Sequence, residues 1–129
     1  MVRFLIDTHA LLWWLSDDLS LSSKARKVMA ETSNILLVSA ASAWEIATKV
    51  RLGKLPWAAA LASDFQGFML REGFTTLDIT TDHAVRAGLL SGPLKDPFDR
   101  MLIAQAQAEN LPIISNERPF EAYGVRRIW

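Results

Sequence analysis

The sequence predicts an α/β fold: a three-layer α/β/α sandwich around a central parallel sheet of about four to five strands. Three observations predict it. Short apolar runs of β type recur along the chain, at 2–6, 35–38, 112–114 and 125–128, with a weaker one at 75–79. Helical patterns fill the gaps between them, the alternation that buries a parallel sheet on both faces. Four strand-to-helix junctions are each expected to carry an acid, all on the one sheet edge where an open α/β fold gathers its ligands.

The first run, Val2-Arg3-Phe4-Leu5-Ile6, stops at Asp7. Segment 22–32 reads as an amphipathic helix capped by Ser22 or Ser23. The run Ile35-Leu36-Leu37-Val38 leads into a helix over 40–52 that stops at Gly53. Pro56 starts the next helix, expected to run to about Glu72 and stop at Gly73. Thr80 or Thr81 caps a helix through Leu90. Asp96-Pro97 then opens the most helix-like stretch, through Glu109 with Asn110 as C-cap. Its apolar positions Phe98, Leu102, Ile103 and Ala106 repeat at helical spacing and are expected to face the sheet.

Composition narrows the function classes. The 129 residues fit one domain, 1–129, and half are apolar, enough for a real core. There is no cysteine, so neither a disulfide framework nor a thiolate zinc site is expected. Two histidines, His9 and His83, are too few for a histidine-rich metal site. No apolar run approaches the ~20 residues of a membrane span, and an acid interrupts the first run too early for a signal peptide. The default expectation is a soluble cytoplasmic protein.

Fourteen Lys+Arg balance fourteen Asp+Glu, which argues against a general polyanion binder. Setting Asp7, Glu45, Asp99 and Glu117 aside in a metal site leaves ten acids against the fourteen bases. Lys49, Arg51 and Lys54 follow Glu45, and Lys95 and Arg100 flank Asp99. Such a rim suits a nucleic-acid substrate, with Lys49 and Arg100 as candidate contacts. A solvated helix face explains the same charges.

Each acid also has a structural reading. Asp7-Thr8 can cap a helix, or Asp7 can bind metal with the Thr8 hydroxyl holding a carboxylate oxygen or a water. Ser42-Ala43-Trp44-Glu45 matches a capping box. Asp96 precedes Pro97 and reads as the N-cap, which leaves Asp99 in the first turn, free to point into a pocket. Glu117 follows Ser115-Asn116 after the last apolar run before the C-terminal segment. Taken together, acids that converge at one sheet edge cannot all stay ionised without a cation, which points to a divalent metal and phosphate chemistry. His9 reads as a partly buried, hydrogen-bonded histidine rather than a base. The five tryptophans, Trp13, Trp14, Trp44, Trp57 and Trp129, read as core or dimer contacts rather than base-stacking platforms. The neighbours Trp13 and Trp14 are not expected to share one core.

The chain resembles the PIN-domain ribonucleases, specifically the VapC-type toxins of type II toxin–antitoxin pairs. The resemblance rests on Phe4-Leu5-Ile6-Asp7-Thr8-His9-Ala10-Leu11-Leu12-Trp13, on Ser42-Ala43-Trp44-Glu45-Ile46-Ala47-Thr48-Lys49 with Gly53-Lys54-Leu55, on Asp96-Pro97-Phe98-Asp99-Arg100-Met101-Leu102-Ile103-Ala104-Gln105-Ala106, and on Ile114-Ser115-Asn116-Glu117. It covers the whole chain and implies a PIN-like nuclease domain. It carries the family's catalytic quartet to Asp7, Glu45, Asp99 and Glu117. Magnesium or manganese is expected on Asp7 and Asp99, joined by Glu45, with Thr8, Asp96, Ser115 and Asn116 supporting. The family usually has Asp at the fourth position; Glu117 reaches about one methylene further, so its part in metal binding is the least defined. The resemblance further implies an RNA substrate, a cognate antitoxin and a homodimer. Two rival readings remain: a catalytically inactive RNA- or protein-binding module of the same fold, and an aspartyl-nucleophile phosphoryl-transfer domain. The second lacks the usual second aspartate, since position 9 is His.

Overall fold

The computed structural model describes residues 2–129; Met1 lies outside them. Five strands form one sheet: β1 (Arg3–Ile6), β2 (Ile35–Ser39), β3 (Thr75–Leu77), β4 (Ile113–Ile114) and β5 (Arg127–Ile128). Their order is β3-β2-β1-β4-β5, and every pairing is parallel. The helices are α1 (Thr8–Leu15), α2 (Ser23–Ala30), α3 (Ala40–Arg51), α4 (Ala59–Ser63), α5 (Phe65–Glu72), α6 (Thr81–Leu89) and α7 (Pro97–Ala108). Two 3-10 turns, Pro56–Ala58 and Arg118–Tyr123, complete the set.

The period-two alternation of the strands separates two cores. Phe4, Ile6, Leu36, Val38 and Ile114 face a cluster with Leu11 of α1, Met29 of α2, Ile46 of α3 and Met69 of α5. Leu5, Leu37 and Ile113 face the opposite cluster with Leu102, Ile103 and Ala106 of α7. The predicted three layers follow: helices cover both faces, and the central strand is almost wholly apolar. Among the described residues no helix is long and apolar enough to cross a membrane.

Sheet order fixes where a ligand can sit. After β1 the chain builds outward through β2 and β3, then returns to the other side of β1 for β4 and β5. Its direction of growth therefore reverses between β1 and β4, and a crevice opens there beyond the strand ends. The backbone N–H of Asp7 donates to the Ile114 carbonyl at 3.0 Å and closes the floor of that crevice.

Three helix expectations change. The segment from Pro56 to Glu72 is not one helix. It breaks at Asp64 (φ −143°, ψ 54°), whose carboxylate folds so closely over Gly67 that an added Cβ there would lie 2.3 Å from it. Helix α7 ends at Ala108 with Glu109 as its cap, and Asn110 follows in the left-handed conformation (φ 53°) that Asn tolerates. Phe98 does not join Leu102, Ile103 and Ala106 on the sheet; it turns to Trp44, as described below.

His83 ties α6 to α7. It is buried, its Nδ1 accepts the Thr80 N–H at 3.1 Å, and its Nε2 lies 3.0 Å from Glu109 Oε2. The backbone N–H of His83 in turn donates to Thr80 Oγ1, which closes a capping box at the start of α6.

Candidate active site

Asp7 stands directly after β1 and is 3% exposed. Its Oδ1 accepts the Ala10 N–H at 2.8 Å, so it caps α1. Burial lifts its pKa to about 6; hydrogen bonds from the Ser115 hydroxyl and the Ala10 N–H pull the other way, and the charge of Glu117 adds to the rise. Ser115, at the end of β4, thus reaches across the crevice to β1's acid.

Glu45 is not part of a capping box. Helix α3 starts too early for that: Ser39 is the cap, its Oγ accepting the Ala41 N–H at 2.9 Å. Ser42 therefore lies inside the helix, and its hydroxyl bonds the Thr8 hydroxyl at 2.9 Å. This buried pair joins α1 to α3. It also corrects the expected role of Thr8, whose hydroxyl serves the helix junction instead of a carboxylate. Glu45, released from capping, is 4% exposed and pairs with Lys49 Nζ at 2.7 Å.

Asp96 caps α7 as expected, accepting from the Phe98 N–H at 2.8 Å and the Asp99 N–H at 3.3 Å. Asp99, half-buried in the first turn, is pushed up to about 7. Burial is the main cause, followed by repulsion from Asp96, Glu45, Glu117 and Asp7. All three other members of the quartet are therefore near enough for their charges to act on Asp99. The expected strand-to-helix junction does not carry Asp99, because α6 and not a strand precedes α7. In the fold α6 and α7 are antiparallel neighbours, with Ala87 near Arg100 and His83 near Glu109, and it is a helix-to-helix junction that delivers Asp99.

Glu117 occupies the cap position of the turn Arg118–Tyr123, half-buried, and its N–H donates to Ser115 Oγ at 3.0 Å. Asn116 is exposed on the loop between them.

Two members of the expected basic rim, Lys49 and Arg100, are committed elsewhere, while Arg51, Lys54 and Lys95 are exposed. Lys49 is on Glu45. Arg100 is spent on backbone: its Nη1 donates to the Leu94 carbonyl at 2.8 Å, and its Nη2 to the carbonyls of Ala87, at 3.1 Å, and Leu90. A cation at the end of α6 is well placed against the helix dipole, and there it braces the loop that leads to Asp99. The same loop is held by Tyr123, whose hydroxyl accepts the Leu94 N–H at 3.0 Å. Gly92 (φ +108°) lies against that ring, 2.5 Å from Tyr123 Oη to where a Cβ would sit. Nothing in the spacing of Gly92, Arg100 and Tyr123 signals this brace, because it depends on tertiary approach.

His9 is exposed, not buried, and stacks on Trp13 with centroids 5.6 Å apart. Trp13 and Trp14 do share one core: both are partly buried against the cluster on the α1 face. Trp13 meets Trp129 at 5.8 Å, and Trp14 Nε1 donates to Glu72 at 3.0 Å. Trp44 is 62% exposed and meets Phe98 edge-on at 5.0 Å, beside the pocket.

An all-oxygen donor set suits a hard divalent cation. The mutual repulsion around Asp99 and the buried, raised Asp7 are what a cation would relieve. Among the described residues no three Asp, Glu or His side chains already stand close enough to cage an ion. The residues present would suit a hard divalent cation held by one or two carboxylates, with waters filling its other positions.

A PIN-domain family model matches residues 4–125. Over 62 residues the chain is 44% identical to Ribonuclease VapC16 of Mycobacterium tuberculosis, covering 48% of this chain and 43% of that protein. The match thus spans less than half of that relative's length. Among solved structures, VapBC2 from Rickettsia felis, bound to a DNA fragment from their promoter, superposes with a TM-score of 0.70 at 14% identity, over 99% of this chain and 100% of that one. VapC20 of Mycobacterium tuberculosis, a sarcin–ricin-loop-cleaving toxin, gives 0.70 at 15% identity over 95% of each chain. VapBC-1 from nontypeable Haemophilus influenzae gives 0.67 at 12% identity, over 98% of this chain and 96% of that one. At these identities the structural likeness speaks for the fold. Because the family model runs through nearly every element described above, the chain belongs to the PIN-domain family.

Proposed function

We propose that this chain is a magnesium- or manganese-dependent endoribonuclease, a single PIN domain over residues 1–129 that acts in the cytoplasm as the toxin of a VapC-type pair. The observation that supports it is the gathering of acids around Asp99. Asp7, Glu45 and Glu117, each from a separate segment, all press on the charge of Asp99. The relatives' names support RNA as substrate and a cognate antitoxin as partner. A homodimer is carried over on family grounds.

The chain's own groups have separable tasks. Asp7 and Asp99 would hold the cation, and Glu45 would join them. Without a cation their raised values would keep protons on part of the Asp7 and Asp99 population near neutral pH, so binding one would release protons. Ser115 orients Asp7 through its hydroxyl, and Asp96 fixes the helix start that carries Asp99. Glu117, carried on a loop, is free to hold a water beside the phosphate. When bound, the metal would supply Lewis acidity toward a phosphodiester and lower the pKa of a coordinated water. Positioning and electrostatics then account for the reaction without a strong side-chain base, in keeping with the exposed, stacked His9.

The test is cleavage of total cellular RNA by the purified chain with manganese, with chelator, and with Asp7→Asn. Discrete fragments that need both metal and Asp7 are expected. Wild-type cleavage by Asp7→Asn, or cleavage undiminished in chelator, refutes the reading.

A further inference from the structure

We propose that Lys49 is a resident counter-ion: it holds Glu45 in the metal-free pocket, and a divalent cation must displace it to gain that carboxylate. The inference rests on the metal-site reading above and adds a control on loading.

A carboxylate as buried as Glu45 is costly unless paired. Lys49 supplies the pair one turn later on α3, at 2.7 Å, in the Glu-before-Lys order that suits a helix. Of the four acids, Glu45 is the one with a salt bridge among the described residues. The ammonium therefore stands where a cation is wanted. The side chain of Lys49 is 36% exposed against 6% for Glu45, so the lysine stem has a way out to solvent while the acid stays inside. The absence of a ready three-ligand cage among the described residues agrees with this. One prospective ligand is turned toward its own helix.

Like charges at this range repel strongly in a partly buried site. A divalent cation on Glu45 and the ammonium on Glu45 are therefore alternatives, and metal affinity carries the cost of parting the pair. Once released, Lys49 remains on the pocket wall as a positive charge for a phosphate. One residue would then neutralise a carboxylate in the empty protein and an anionic substrate in the loaded one.

The experiment is manganese binding to the full chain at fixed pH and ionic strength, read from the free-ion electron paramagnetic resonance signal. It compares wild type, Lys49→Met, Glu45→Gln and the double variant. Lys49→Met is expected to bind manganese at least about fivefold more tightly than wild type. That gain is expected to vanish when Glu45→Gln is the background. In chelator Lys49→Met should melt lower than wild type, and manganese should restore more stability to it than to wild type. If it does not fold in chelator, Lys49→Gln keeps a hydrogen-bond donor without the charge and carries the same comparison. Unchanged or weaker binding by Lys49→Met overturns the proposal, as does a gain that persists without Glu45. If neither wild type nor any variant binds manganese, the metal site itself is wrong and the inference falls with it.

Discussion

Replacing Asp7 by Asn should make the metal-free protein more stable above neutral pH. Asp7 is buried and its pKa is raised from 3.8 to about 6. A carboxyl raised on folding binds protons more tightly in the native state, so stability falls as pH rises between the two values. The burden is absent below about 4 and complete above about 6. Two units correspond to about 3 kcal/mol at most. Asparagine keeps an oxygen for the Ala10 N–H and caps helices as well as aspartate, so the start of α1 survives. Relaxation around the ionised group reduces the gain, so about 1–3 kcal/mol is expected at pH 8, near 3 °C of melting temperature per kcal/mol for a chain of this size. Thermal unfolding in chelator at pH 4 and pH 8 measures it: the variant should match wild type at the lower pH and exceed it at the higher. A loss of stability that grows from pH 4 to pH 8 would refute the argument, because it would mean that Asp7 is better ionised than neutral in its native site.

Three other outcomes follow from the geometry. Arg100→Met should cost about 2–4 kcal/mol by leaving the carbonyls of Ala87, Leu90 and Leu94 without their charged donor, and should lower kcat more than it raises KM, as steady-state kinetics on a mapped substrate would show. Gly92→Ala should cost about 1–3 kcal/mol in chemical denaturation, because its φ of +108° and the Tyr123 ring both oppose a Cβ. Trp44→Ala should change melting by less than about 1 kcal/mol, since the ring is 62% exposed; a larger loss would show that its contact with Phe98 supports the α3–α7 junction.

The parts of the fold set by local chemistry were readable in the sequence. All five strands lie on the expected apolar runs, β2 continuing one residue further to Ser39, and the caps Ser22, Thr80 and Asp96 stand where their side chains meet free N–H groups. Separating Asp96 from Asp99 needed only the preference of proline for the first helical turn. The failures came where tertiary contact overrides local pattern. Ser42-x-x-Glu45 has the spacing of a capping box, but Ser39 claims the helix start one turn earlier, and the core then uses Ser42 to join Thr8. Phe98 has the spacing of a sheet-facing residue, yet it stands in the first turn of α7, beside Trp44. Arg100 reads as a surface charge beside an acid, because nothing local shows that three carbonyls converge on it.

The central place of β1 has a consequence for the timing of synthesis. Asp7 is made well before its partners: the carbonyl that fixes its backbone belongs to Ile114, and the hydroxyl that reaches its carboxylate to Ser115. The contacts that finish the pocket thus join segments far apart in sequence, and such long-range closure comes late in folding. A nascent chain short of Glu117 lacks one wall of the acid pocket, however well its first helices have formed. On the function proposed above, a chain built on this plan completes its acid pocket only once Glu117 has been made, however early Asp7 and its helix have formed.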